Sequence, residues 1–388
     1  MAKIPIPYGH QYISEEDIQA VVDILKSDYL TCGPKIKEFE DAFKAYVDRP
    51  NYAVAVGNAT QALHLAANAL GIKPGVNVIC TPLTFASSAN CIRFCGGNVT
   101  FCDIDEETYL MDLNKLRHIL ESKPKGYYKG IVFVDFAGYP GNMEKLRKLA
   151  DEFGCWIIED ACHAPGAYFM DSKGNKIFCG NSQYVDATVF SFHPVKHITT
   201  GEGGMLVTNR EDIYKSASLF RTHGITHEVS EMEKTDGAWY YEMKELGWNY
   251  RLTDIQAALG ISQLKRARKN VEIRRELVKI YNTAFQNIKG IKKPFEKEDV
   301  YHAYHLYIIQ VEKRKELYDF LRSQGIYAQV LYYPLHLMPY YKKFGNKEGD
   351  LPIVEKYYKH CLALPMYPTL TKDQQQYVIE KVLEFYKK

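Results

Sequence analysis

Lys196 is the residue of this 388-residue chain with the most scope for chemistry. It lies in residues 188–208, TVFSFHPVKHITTGEGGMLVT, where two apolar runs flank a polar centre. Ser191, His193, His197, two threonines and the Gly-rich turn 201–204 surround it. A lysine held in a tight loop between buried strands loses hydration, which favours the neutral amine and makes it a nucleophile. A lone loop lysine is ordinarily just solvated, so Lys196 needs partners before chemistry can be read from it.

Three other junctions supply candidates. Gly57-Asn58-Ala59-Thr60 closes an apolar run (52–56) and opens a helix over about 61–70. Backbone N–H groups at a helix start, beside a threonine hydroxyl, suit a phosphate; the same pattern also serves as an ordinary N-cap. Phe85 follows the run 77–80, where an aromatic taken alone is more often core than a ligand-stacking face. Asp160 ends the run 156–160. Pyridoxal phosphate needs this combination. Its aldehyde condenses with a lysine amine, and its ring nitrogen needs a carboxylate to stay protonated so that the ring serves as an electron sink. Its phosphate needs N–H and hydroxyl donors, and its flat ring gains from an aromatic.

The elements that must position these residues alternate. Runs at 52–56, 77–80, 99–103, 131–135 and 156–160 read as buried strands, with helical stripes between them such as 142–153. That alternation predicts a mainly parallel sheet in a three-layer α/β/α domain, with ligands outside the carboxyl ends of the strands. Ser14-Glu-Glu-Asp caps a first helix, and a second covers about 35–46. Residues 252–285 read as one long helix whose charged run, 265–275, faces solvent. Beyond about 290, a strand over 303–311, a helix over 314–324 and a last helix over 372–386 give a smaller α+β unit. The expected division is 14–255 and 256–388, with residues 1–13 packing against the smaller unit.

Composition narrows the field. The net charge is +2, which gives no extended basic surface for nucleic acid. No run approaches the ~20 apolar residues of a membrane span, and the start has no signal-like core. Nine cysteines are scattered without a C-x-x-C pair or a zinc-like spacing, so reduced thiols, a cytoplasmic location and no metal are expected. No G-x-G-x-x-G follows the first strand, which sets a nucleotide-binding dehydrogenase aside.

The chain resembles the pyridoxal-phosphate sugar aminotransferases of the DegT/DnrJ/StrS type. The resemblance runs through YLTCGP, GNATQALHLA, TPLTFASSANC, IIEDACHAPGA, SFHPVKHITTGEGG, FRTHGI, GWNYRLTDIQAALGISQL and LPMYPTLT. It implies the fold type I architecture of aspartate aminotransferase. Related dehydratases carry a histidine at the lysine position, so Lys196 implies transamination. Carried onto this sequence, Lys196 would bond the cofactor and move protons. Asp160 would pair with the ring nitrogen, Phe85 would stack on the ring, and His163 would lie near the ring oxygen. Ala59 (through its backbone), Thr60 and Ser191 would hold the phosphate. Asn249 would reach it from the neighbouring subunit of a homodimer. Arg221, Lys244 and Arg251 are candidates for a diphosphate, and His223, Tyr332 and His336 for the sugar.

Within the family, TPLTFASSANCIRFCGG, CGNSQYVDATVFSFHPVKHITTGEGG and DGAWYYEMKELGWNYRLTDIQAALG are similar to the UDP-4-amino-4,6-dideoxy-N-acetyl-β-L-altrosamine transaminases of pseudaminic acid synthesis. The implied reaction moves the amino group of L-glutamate to the C4 keto group of a UDP-linked 4-keto-6-deoxy-N-acetylhexosamine. A related enzyme acting on another UDP- or dTDP-ketosugar is the nearest alternative. A non-catalytic regulatory protein on the same fold is the alternative of another class.

Overall fold

The alternation folds into a seven-stranded sheet in the computed structural model, which describes residues 5–387. Across the sheet the order is Tyr52–Val56, Gly204–Thr208, Ala187–Ser191, Trp156–Asp160, Tyr128–Val134, Asn77–Cys80 and Asn98–Phe101. Gly204–Thr208 runs antiparallel to both its neighbours, and all other pairs are parallel. The carboxyl ends of Tyr52–Val56, Ala187–Ser191 and Trp156–Asp160 therefore open on one edge. The start of Gly204–Thr208 lies beside them, with Gly204 opposite both Val56 and Ser191. A Cβ at Gly204 would stand 2.6 Å from the Ala59 nitrogen. Only glycine lets this strand lie against the start of the helix Ala59–Ala69, which gives the Gly-rich turn a structural reason.

Strand alternation sorts the two faces. Phe190 and Phe192 point to one side and meet Phe43 at ring centroids of 4.9 and 5.3 Å. Val189 and Leu206 point to the other, into the cluster with Leu63 and Ile92. Helices thus cover both faces, as a parallel sheet requires.

The chain departs from expectation where long-range contacts override local pattern. The single helix expected over 252–285 is two helices, Asp254–Leu264 and Ala267–Ala284. Between them the Lys265 and Arg266 amides bond back to the Ser262 and Gln263 carbonyls, tightening the last turn. Arg266 then turns its guanidinium to fully buried Asp17. The charged run does not simply face solvent either. Arg274 is 1% exposed, and its guanidinium donates to the carbonyls of Tyr304, His305 and Met366.

Asp17 also accepts from the Ser14 amide (3.0 Å) and Gln263 Nε2 (2.8 Å), so it ties the first helix to this junction. Asp17→Ala leaves the Arg266 charge and the Gln263 amide without their acceptor. It is expected to lower the unfolding free energy by about 3–5 kcal/mol, read from urea denaturation. A loss under about 1 kcal/mol would mean that water replaces the carboxylate.

The strand expected over 303–311 is confined to Tyr307–Val311. Residues 303–306 instead hydrogen-bond the turn Phe136–Gly138, Ala303 to the Gly138 carbonyl and Leu306 to that of Ala137. Tyr307–Val311 is the middle strand of a three-stranded sheet with Ile291–Lys292 and Cys361–Leu364. Cys361–Leu364 is absent from the sequence reading because four apolar residues directly after a helix carry no period of their own. Ile6–Pro7 pairs in parallel with Ile326–Tyr327. Residues 1–4, included in the expected N-terminal packing, lie outside the described residues. No helix among the described residues is long and apolar enough to cross a membrane.

Candidate active site

The strand ends enclose a cavity of about 860 Å³. Lys196, Asp160, Ser191, Thr60, Ala59, Phe85, His163 and Tyr332 all line it. These residues come from five separate segments. Parallel strand packing brings them to one edge, as the Gly204 register requires.

Lys196 is part-buried, and its exposure is to the cavity it lines. Burial pulls the ammonium down to about 8; Cys162 and Asp160 nearby resist that shift, and Arg274 adds to it. About a tenth of the amine is therefore neutral at pH 7, far more than for a solvated lysine, and that fraction is the nucleophile. Nζ lies 3.5 Å from His305 Nε2. Lys196 is the one lysine or arginine lining the cavity among the described residues.

Asp160 is buried, and both its oxygens are held. Ser88 Oγ donates to Oδ2 at 2.6 Å, and the Cys162 amide to Oδ1 at 3.1 Å. Ser88 Oγ is itself within 2.6 Å of Thr84 Oγ1. A carboxylate fixed by two donors keeps its direction.

At the other end of the cavity, Asn58 caps the helix Ala59–Ala69, its side chain accepting from the Gln61 amide at 3.0 Å. The helix starts two residues before the expected position, so Ala59 and Thr60 are its first residues and their amides belong to the first-turn set that lacks intrahelical acceptors. Thr60 Oγ1 pairs with Ser87 Oγ at 2.7 Å. Ser191 Oγ accepts from the His193 amide at 3.3 Å. Phe85 keeps 63% of its surface exposed although it is a large apolar ring, and it presents that ring to the cavity.

The histidines form a second layer. The Ala137 amide donates to His163 Nδ1 at 3.3 Å, which places the proton of the neutral ring on Nε2, 3.3 Å from the Tyr332 hydroxyl. Burial, with Lys196 and His197 nearby, holds His163 well below the ordinary histidine range. The His305 ring lies 4.4 Å from that of His163, centroid to centroid, tilted by 35°. Sequence reasoning missed His305. Its one signal was a second histidine two residues after Ala303, in a stretch read as plain strand.

Several expected contacts are corrected. Arg221 does not line the cavity; its guanidinium is 2.7 Å from buried Glu40 and 3.0 Å from the Ala55 carbonyl. His336 is fully buried, with Nε2 3.0 Å from Glu355, so it cannot meet a sugar. Lys244 is tied to Glu242 at 2.5 Å. His223 is exposed and outside the cavity lining. Arg251 bridges Val56 through its backbone, also outside the lining, with no ion pair among the described residues. Asn249 needs no correction: it is exposed and outside this protomer's cavity, as a residue expected to serve the neighbouring subunit would be.

The residues fit pyridoxal phosphate. An exposed aromatic face, a fixed buried carboxylate, a lysine of lowered pKa and a helix start with adjacent hydroxyls share one cavity. Comparison with known proteins agrees. The model of the DegT/DnrJ/EryC1/StrS aminotransferase family matches residues 11–383. The chain is 38% identical to the spore coat polysaccharide biosynthesis protein SpsC of Bacillus subtilis, over 98% of this chain and 97% of that protein. It is 36% identical to the UDP-4-amino-4,6-dideoxy-N-acetyl-beta-L-altrosamine transaminase of Campylobacter jejuni, over 98% and 99%. The PLP form of the putative sugar aminotransferase Spr1654 from Streptococcus pneumoniae superposes with a TM-score of 0.88 at 28% identity, covering 99% of both chains. With a fold type I sheet, a lysine of lowered pKa at its edge and a family match across the chain, this protein belongs to the DegT/DnrJ/EryC1/StrS aminotransferase family and is a pyridoxal-phosphate-dependent sugar transaminase.

Proposed function

We propose that the chain transfers the amino group of L-glutamate to the C4 keto group of UDP-2-acetamido-2,6-dideoxy-β-L-arabino-hex-4-ulose. The product, UDP-4-amino-4,6-dideoxy-N-acetyl-β-L-altrosamine, would enter the route to pseudaminic acid. The observation that carries this reading is the 36% identity to the Campylobacter jejuni transaminase along essentially the whole of both chains.

Pyridoxal phosphate, when bound, supplies an electron sink for the carbanion at the amino-bearing carbon. The chain's own residues do the rest. Lys196 would take the proton from the Cα of the amino donor and give it up again within the same transfer, and a lowered pKa lets one amine do both. Asp160, held by Ser88 and Cys162, keeps the ring nitrogen protonated. The amides and hydroxyls of Ala59, Thr60 and Ser191 hold the phosphate. Phe85 covers the ring face and excludes water from it. His163, with its proton on Nε2, donates on the side where Tyr332 stands. The second half-reaction runs the same proton path in reverse on the ketosugar.

A cofactor phosphate, the carboxylates of glutamate and a nucleotide diphosphate together carry several negative charges. Lys196 alone faces them from this protomer among the described residues. The reading therefore includes a homodimer, with Asn249 and further cationic groups delivered by the neighbouring subunit.

A second reading rests on the 38% identity to SpsC, which permits another nucleotide-linked ketosugar, UDP- or dTDP-, as acceptor. The test is direct. Purified protein is incubated with L-glutamate and each ketosugar, and the product is read by NMR. Amination at C4 of the UDP-N-acetyl sugar is expected. Amination of the dTDP sugar alone would replace the first reading with the second.

A further inference from the structure

We infer that His305 is the positioning residue for the free amine of Lys196, accepting a hydrogen bond from Nζ through Nε2.

Three observations carry this. First, His305 has no competing partner. Its Nε2 lies 3.5 Å from Lys196 Nζ, the outer limit of a hydrogen bond, and its Nδ1 bonds nothing among the described residues. Each of the other buried histidines around it has a partner elsewhere, His163 in the Ala137 amide and Tyr332, His197 Nε2 in the Ala303 carbonyl at 2.9 Å, and His302 Nδ1 in the Tyr304 amide at 2.9 Å, although Nδ1 of His197, like that of His305, bonds nothing among the described residues. A histidine kept for packing normally finds a backbone or carboxylate partner.

Second, the backbone that presents His305 is built and strained. Tyr304 holds φ at +48°, unusual for a bulky residue, directly before His305. The buried guanidinium of Arg274 donates to the Tyr304 and His305 carbonyls at 3.3 and 3.2 Å. Gly138 lies against the same backbone, since a Cβ there would stand 2.9 Å from the His305 nitrogen. A buried cation, a strained residue and a close glycine contact fix one imidazole.

Third, the charges around the pair keep the imidazole an acceptor. Lys196 faces Asp160 and Cys162, which favour its ammonium, and Arg274, which disfavours it. His305 faces Lys196, His163, His197 and Arg274, all of which oppose a charge on it, on top of its burial. A neutral imidazole with its proton on Nδ1 offers its Nε2 lone pair to Lys196. Whenever Lys196 is a free amine, donating one N–H to His305 sets the direction of its single lone pair.

The test reads Lys196 itself rather than turnover. The full chain, stripped of cofactor, captures pyridoxal phosphate, and the rate is followed by visible absorbance from about pH 6 to about pH 10. In the unaltered protein the rate rises with pH, with a half-point of about 8. An acceptor stabilises the ammonium more than the amine, so losing it lowers the half-point. His305→Phe keeps a ring but no acceptor. It is expected to move the half-point down by about 0.5–1 unit and to slow capture on the plateau by about tenfold. His305→Gln, whose amide oxygen accepts, is expected to retain both. If His305→Phe fails to fold, His305→Met against His305→Gln reads the same contrast. A Phe or Met variant that matches the unaltered protein in half-point and plateau overturns the inference. So does equal impairment of the acceptor and non-acceptor variants, which would mark a packing role.

Discussion

Lys196→Ala is expected to reduce transamination by about 10⁴–10⁶-fold and to remove the visible absorption band of the lysine-bound cofactor. The size of the effect follows from what else faces the cavity. No second lysine or arginine lines it among the described residues. His163 and His305 are neutral donors or acceptors that cannot condense with an aldehyde, and Asp160 is committed to Ser88 and the Cys162 amide. Bonding to the cofactor and moving the proton both fall on one amine, so its loss removes two functions. The fold should be untouched. The one hydrogen bond of the Lys196 side chain runs to His305, and the truncation opens onto an existing cavity rather than a packed core. Urea denaturation is expected to agree with the unaltered protein within about 0.5 kcal/mol. A high concentration of a small primary amine should restore part of the proton transfer. A variant retaining more than a tenth of the turnover would show that another group performs the proton transfer.

This centre is readable in a sequence because of how parallel sheets are made. Each strand–loop–helix step delivers its polar residue to the same edge, so Thr60, Phe85, Asp160 and Lys196 converge although more than a hundred residues separate the first from the last. Local pattern is enough to find them. What local pattern cannot show is which charges are spent elsewhere. Arg221 looks like an anion ligand until the fold brings Glu40, from the second helix, to 2.7 Å. His336 looks like a sugar contact until Glu355 meets it in the core. The helix break at Lys265–Arg266 is invisible for the same reason, since its partner Asp17 is nearly 250 residues away in sequence. His305 was hidden differently. It lies in an apolar stretch that alternates like a strand, and only the positive φ of Tyr304 and the Arg274 clamp show that the chain leaves the sheet there.

Asp160→Asn is expected to lower turnover by about 10²–10³-fold, the second-largest effect of any single substitution here. The side chain keeps its size, and its two neighbours keep their positions. Ser88 Oγ can still donate to an amide oxygen. The Cys162 amide can do so only if the oxygen turns toward it, and the NH₂ group then faces Ser88, whose hydroxyl can rotate to accept. Local packing thus tolerates the change, whereas Asp160→Ala leaves both donors without an acceptor and costs about 1–3 kcal/mol of stability as well. Catalysis does not tolerate it, because an amide cannot hold a proton on a ring nitrogen as a carboxylate does, and the electron sink weakens. Ser88→Ala separates the two roles. It removes one donor to Asp160 but leaves the charge, so its effect on turnover should be about tenfold or less. The discriminating measurement is the order of the series. A turnover loss for Asp160→Asn that is large, with cofactor still captured by Lys196 at an ordinary rate, supports the ring-nitrogen role. Equal losses for Asp160→Asn and Ser88→Ala would assign Asp160 to positioning the loop alone.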